Sequence, residues 1–250
     1  GNWRWHAENV VAGHAQMIHK GAFRSWFNRP RPMSMPAQPN VATDIDGTGV
    51  DNGFIPRGKA LAEAPKATRF WIDETYVDYV SEEQSLEVHA ATSSNVVVVK
   101  SMSKAYALSG VRAAYLCASP GLVRETLRWS PPWAVSLPGQ IAACKAFASL
   151  DYYRARWRET AILRGELQAG LEAQGWDVVP GCANFLLCHL PRSAPDAEES
   201  VAKVRARGLF IRDVTSMGTG LGKRAVRIAV KDRATNQQVL DILSSALGLG

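Results

Sequence analysis

The sequence has no long hydrophobic run. No stretch approaches the roughly 20 apolar residues needed to cross a bilayer, and the opening GNWRWHAENVVAGH lacks the uninterrupted apolar core of a secretion signal. No membrane partner is expected, and a cytoplasmic chain is. Paired cysteines are also lacking. Cys117, Cys144, Cys182 and Cys188 lie far apart, without C-x-x-C spacing, among apolar neighbours in YLCAS, AACKAF and FLLCHL. That pattern argues for buried thiols and against zinc, other metals or disulfides. Clustered positive charge is missing too. The formal net charge is +6, yet Lys and Arg are scattered along helix-like stretches such as YYRARWRET. This is a solvated basic surface suited to small anions, and no nucleic-acid partner is expected. No internal repeat is visible.

Apolar residues, by contrast, are plentiful. They make up 46% of 250 residues, enough for a core in one large domain or two small ones. Residues 1–42 combine Trp, His and Arg and then turn proline-rich (NRPRPMSMPAQPN), which predicts a helix followed by an irregular connection. From residue 69 the pattern sharpens. RFWIDETYV, NVVVVKS (95–101) and RAAYLCAS (112–119) read as strands, and continuous apolar strands imply a sheet covered on both faces. An apolar periodicity through Ile141, Phe147, Leu150, Trp157, Ile162, Leu167 and Leu171 predicts helix from about Gln140 to Ala173, including a long interdomain helix. Beyond it, WDVVP, ANFLLCHL, LFIRDV and RAVRIAV read as strands, with helices at AEESVAKVRARG and TNQQVLDILSSAL. The fold class is α/β. The expected division is an N-terminal segment (1–42), a partial large domain (43–155) and a small C-terminal α/β domain (156–250).

The chemistry concentrates in VVVVKSMSKAYALSGVRAAYL. A strand runs into a loop with Ser101, Ser103 and Lys104, followed after a glycine by Arg112. Hydroxyls and a guanidinium at a strand end give charge-assisted bonds to phosphate oxygens. On spacing alone, a polar loop with a solvated lysine fits equally well. Upstream, FWIDETYVDYV delivers Asp73 and Glu74 at another strand end, then Tyr76 and Tyr79.

SMSKAYALSGVRAAYL resembles the cofactor-lysine segment of fold-type I pyridoxal-phosphate enzymes, especially histidinol-phosphate aminotransferases and their relative threonine-phosphate decarboxylase. IDETYVDYV is similar to that family's Asp-Glu-x-Tyr strand end, about thirty residues upstream, and ANFLL and RAVRIAV follow in the family's order. The resemblance covers roughly residues 69–250. It implies a fold-type I architecture, with a mainly parallel sheet in the large domain and a small domain closing over substrate. Pyridoxal 5'-phosphate is the implied cofactor, and a homodimer the implied assembly. Carried over, Lys104 would condense with the cofactor aldehyde and move the substrate α-proton, while Ser101, Ser103 and Arg112 would hold the phosphate. Asp73 would keep the pyridine nitrogen protonated, and Tyr76 would donate to the phenolic oxygen. Arg227, Arg212 and Asn184 would face the substrate. The implied activity is amino transfer from an amino acid or amino-phosphate to a 2-oxo acid. Decarboxylation, which begins from the same complex, is the first alternative.

The resemblance also implies a chain shortened on its N-terminal side, without the family's Gly-rich phosphate-binding turn and ring-stacking aromatic. Where the family has Asn-Pro-Thr-Gly, this chain has DGTG, with Asp46 in place of the asparagine. A catalytically silent relative is therefore a second alternative. VATDIDGTGV resembles the first motif of haloacid-dehalogenase phosphatases, with Asp44 as nucleophile and Asp46 as proton shuttle, and this supplies a third alternative.

Overall fold

Four consecutive valines, 96–99, are stiff at the first side-chain torsion and suited to a buried pleated surface. In the computed structural model they occupy the middle strand of a three-stranded sheet. The structure describes residues 69–217 and 219–249. The predicted N-terminal segment 1–42 and the acidic pair Asp44 and Asp46 lie outside the described residues. Those described form two units, 69–154 and 155–249.

In the first unit, β1 (Phe70–Asp73), β2 (Val96–Ser101) and β3 (Ala114–Cys117) lie in the order β1-β2-β3. β1 and β2 are parallel, with Phe70 opposite Val96 and Asp73 opposite Val99. The connection between them is a crossover carrying two short 3₁₀ turns and the helix α1 (Glu87–Thr92), as parallel pairing demands. β2 and β3 are antiparallel, with Lys100 opposite Tyr115. This sheet is mixed because the loop 102–113 carries no crossover helix and returns the chain at the end where β2 left it. Ile72, Val96, Val98 and Ala90 pack on one face, and Val97, Val99, Leu116 and Leu122 on the other. α2 (Pro120–Leu127) begins with proline in its first turn, where no amide hydrogen is missed. Ser136 caps α3 (Leu137–Ala148) by accepting from Gly139 N at 3.2 Å.

The predicted helical segment consists of two helices, divided at Ser149 (φ −120°, ψ 33°), after which the long α4 (Leu150–Ala173) begins. The expectation of buried thiols fails at Cys144, which is exposed, while Cys188 is fully buried and Cys117 and Cys182 are partly so. The cause is helical phase. Ala143 and Ala146 face inward on α3, and the residue after Ala143 is turned about 100° away.

The second unit is built on an antiparallel sheet in the order β4-β5-β7-β6: β4 (Asp177–Val178), β5 (Phe185–His189), β6 (Arg212–Asp213) and β7 (Ala225–Ala229). Gly175, at φ 81°, closes α4 where the Trp176 amide donates back to the Leu171 carbonyl. α5 (Ala197–Arg205) and α6 (Arg233–Leu247) are capped by Asp196 and Asp232. Leu167 and Leu171 of α4, Val201 and Val204 of α5 and Val239 and Leu243 of α6 converge on Leu186, Cys188, Val226 and Ile228. All three helices therefore cover one face of the sheet. Among the described residues, no helix is long and apolar enough to cross a membrane.

Leu171 is fully buried and Ile162, on the same helix, is 61% exposed. Replacing Leu171 with Ala should cost about 2–5 kcal/mol in urea unfolding, whereas Ile162→Ala should change stability by no more than about 0.5 kcal/mol.

Candidate active site

β1 and β2 are parallel, so their C-terminal ends lie side by side, and in open α/β sheets ligands bind beyond the carboxyl ends of strands. At this edge, strand alternation sorts the polar residues. Trp71 packs with Val97 and Val99, so Asp73 and Ser101 belong to that face. Phe70 and Ile72 pack with Val96 and Val98, which puts Glu74 and Lys100 on the opposite face.

On the first face a hydrogen-bonded chain joins the two strand ends. Thr75 donates to Asp73 Oδ1 twice, from its amide at 2.9 Å and its hydroxyl at 2.5 Å. The Ser101 amide reaches Thr75 Oγ1 at 3.4 Å, and the Ser101 and Ser103 hydroxyls are hydrogen-bonded to each other at 2.6 Å. Lys104 follows, its side chain exposed and its carbonyl accepting from the Tyr79 hydroxyl at 3.2 Å. The loop is pinned by Met102, buried, whose amide donates to Ala113 O and whose carbonyl accepts from Leu108 N. Ala107 and Arg112 both hold left-handed backbone, at φ 54° and 56°, a conformation costly for non-glycine residues. The Arg112 guanidinium donates to the Ser109 carbonyl at 3.0 Å. Tyr76 stacks on Tyr79 with ring centroids 6.5 Å apart. The structure thus gathers Asp73, Ser101, Ser103 and Lys104 at one sheet end, with Tyr76 in the turn after β1 and Arg112 at the far end of the lysine loop.

Behind this face is an ion cluster of which only Glu74 was noted in the sequence. Lys100 is 3% exposed, and its Nζ lies 3.1 Å from Asp78, 3.2 Å from Glu87 and 3.8 Å from Glu74. Ser85 and the Leu86 amide also donate to Glu74, and Tyr115 donates to Glu87 at 2.5 Å. Three carboxylates share one ammonium. Burial accordingly pushes Glu74 and Asp78 above the usual carboxylate range against the opposing pull of Lys100, while the surrounding acids hold Lys100 above its ordinary value despite its own burial.

The remaining candidates lie in the second unit. Arg212 and Arg227 are direct cross-strand partners on β6 and β7. Arg227 alternates with the core residues Val226 and Ile228 and so belongs to the face away from the helices. Its guanidinium sits 4.7 Å from the centre of the Phe185 ring, a cation–π distance. Asn184 precedes β5, its carbonyl accepting from the Val230 amide at 2.9 Å. Like charges placed directly opposite each other on a sheet are destabilising, and among the described residues no carboxylate pairs with either arginine. An anion on this face would relieve the repulsion.

Residues 59–243 match the family described as aminotransferase class I and II. The chain belongs to that family. Among curated aminotransferase relatives, it is 30% identical to the histidinol-phosphate aminotransferase of Methanocella arvoryzae over 71% of this chain and 47% of that one. It is 31% identical to histidinol-phosphate aminotransferase 2 of Caulobacter vibrioides, over 76% and 48%. The chain thus spans about half the length of the curated relatives it matches. Among solved aminotransferase-fold structures, the histidinol-phosphate aminotransferase of Clostridium acetobutylicum superposes with a TM-score of 0.69 at 22% identity, over 78% of this chain and 58% of that one. The L-threonine-O-3-phosphate decarboxylase of Porphyromonas gingivalis gives 0.65 at 25% identity, over 78% and 59%.

Sequence reasoning passed over Thr75 and Lys100 and gave Tyr79 and Glu74 no role. A signal for the cluster was present. A lysine inside the β-branched run VVVVKS is committed to burial and therefore needs acids of matching strand parity, and Glu74 supplies one. Asp78 and Glu87 arrive through turns that parity cannot forecast.

The raised carboxyl groups set a pH dependence. Each retains its proton in the folded chain at pH values where the unfolded chain has lost it, so stability falls as pH rises out of the ordinary carboxylate range, near about 4. Urea midpoints measured upward from there should decline until Glu74 and Asp78 have both ionised. Lys100 contributes in the opposite range: its stabilisation persists through neutral pH and is lost only above its ordinary value. In Glu74→Gln the slope should be shallower.

Proposed function

We propose that this chain is a pyridoxal-phosphate-dependent aminotransferase, passing an amino group from an amino acid or amino-phosphate to a 2-oxo acid. The observation that carries this reading is the hydrogen-bonded Asp73–Thr75–Ser101–Ser103 chain, with Lys104 the next residue after it. The residues present fit the cofactor. Thr75 occupies Asp73 Oδ1, which leaves Oδ2 to accept from a protonated ring nitrogen. The Ser101 and Ser103 hydroxyls can turn outward to a phosphate, with Arg112 at the far end of the same loop. When bound, the cofactor supplies an aldehyde and an electron-accepting ring.

The chain's own residues supply the rest. Lys104 would offer its exposed amine to the aldehyde and would afterwards carry the proton from the substrate α-carbon to the cofactor. Asp73 would hold the ring-nitrogen proton in place, and Tyr76 would donate to the phenolic oxygen. Arg227 and Arg212 receive the substrate's anionic groups, and the repulsion between them favours a substrate with one or two carboxylate or phosphate groups. Asn184 lines the same strand end. The assembly is taken as a homodimer, the usual state of the family, in the cytoplasm. Sedimentation at micromolar concentration checks the former.

The likeness to the Porphyromonas gingivalis decarboxylase favours loss of carbon dioxide as a second reading, because the same residues serve both reactions. Incubating the protein with an amino-donor panel, with and without 2-oxoglutarate, separates the two. Oxo-acid products are expected; carbon dioxide without amino transfer would overturn the transaminase reading.

Added pyridoxal phosphate should give a visible absorption band that borohydride fixes on Lys104, and Lys104→Ala should abolish the band and turnover. A colourless protein would show a silent relative. Arg227→Met should lower kcat/KM for an anionic substrate by about 10- to 150-fold, the value of one hydrogen-bonded charge, with the absorption band intact.

A further inference from the structure

The loop 102–113, which carries Ser103, Lys104 and Arg112, leaves the sheet at β2 and re-enters it at β3. The two residues at its base, Lys100 and Tyr115, are register partners across the antiparallel pairing. Both bind the same side chain: Lys100 Nζ is 3.2 Å from Glu87 Oε1, and the Tyr115 hydroxyl donates to that oxygen at 2.5 Å. Glu87 opens α1, so the helix of the crossover grips both legs of the loop through one carboxylate oxygen. The other ammonium contacts reach Asp78, in the turn after β1, and Glu74, the neighbour of Asp73. An ammonium has three hydrogens and no preferred plane, and it can direct each to a different carboxylate. Here the carboxylates come from three segments.

This arrangement is not the most economical route to a stable core. Buried ion groups often contribute no more stability than well-packed apolar residues of similar volume. What the ions add is fixed geometry, and the loop above them has need of it. Two of its non-glycine residues, Ala107 and Arg112, hold left-handed backbone, which persists only where the surroundings over-determine it.

We propose that Lys100, together with Tyr115 on Glu87, is a positioning residue: the three clamp the base of the Lys104 loop and hold the amine level with Asp73. Lys100 touches no reactant and acts through the loop. Its value to catalysis rests on the function proposed above, but its effect on the loop does not.

The test uses the full chain. Lys100→Met alone leaves three buried carboxylates without a cation, so it is paired with Glu87→Gln. Should that double variant fail to fold, Tyr115→Phe, which drops one hydroxyl and no charge, gives the same reading. The first measurement is amide hydrogen exchange without cofactor. Exchange over 102–113 is expected to speed up at least tenfold, with the β1–β2 ladder unchanged. The second is titration with pyridoxal phosphate. The double variant is expected to bind at least tenfold more weakly and to show a displaced pH midpoint for the visible band, and Lys100→Arg is expected to come within about twofold of the parent. A folded double variant with parental exchange over 102–113 overturns the proposal. So does faster exchange spread evenly over the sheet, which a purely structural role would give. If the parent chain shows no visible band, the aminotransferase reading fails, and the exchange comparison still decides whether Lys100 positions the loop.

Discussion

The parallel pairing of β1 with β2 sets Asp73 level with Val99, two residues before Ser101, and the chemistry of the first unit depends on that register. The side-chain period of a strand is two, so a slip of one residue would send Asp73 to the face of Lys100 and Glu74 to the face of Ser101. The valine run alone would tolerate such a slip, because it is apolar on both faces. The ion pairs beyond it would not: Lys100 finds Glu74 in one register only, and Thr75 bridges Asp73 to Ser101 in the same one. Polar groups at the end of a featureless apolar strand specify what the strand cannot.

The second unit applies the opposite electrostatics. In the first, an excess of acid surrounds a single buried cation. In the second, two cations stand side by side on a sheet face with no acid among the described residues to neutralise them. The aromatic face of Phe185 accommodates Arg227 without discharging it. The repulsion between the two is borne when the unit folds, by the core on the other side of the sheet.

Much of this was legible in the chain. Strands at 70–73, 96–101, 114–117, 185–189 and 225–229 coincide with apolar runs, and the last helix with its 3.6-residue period. Less legible was the break at Ser149, where one residue of altered backbone divides a periodicity that continues on either side. Ile141 and Ile162 were read into that periodicity but are exposed, because each lies two positions, about 200° around the helix, from a buried residue of its own helix, Ala143 and Arg164. At the site, motif order pointed to Asp73, Ser101, Ser103 and Lys104. The Thr75 bridge and the Glu87 clamp escaped notice because they depend on residues brought together by a turn and a crossover, which have no period to read.

Lys100 and Lys104 are separated by three residues, yet one amine is sealed from water and the other stands in it. Acylating reagents and trypsin therefore meet two chemically different lysines in the same short peptide while the fold holds, and two equivalent ones once it is lost. The ratio of modification at these two neighbours is a built-in gauge of the intact sheet end.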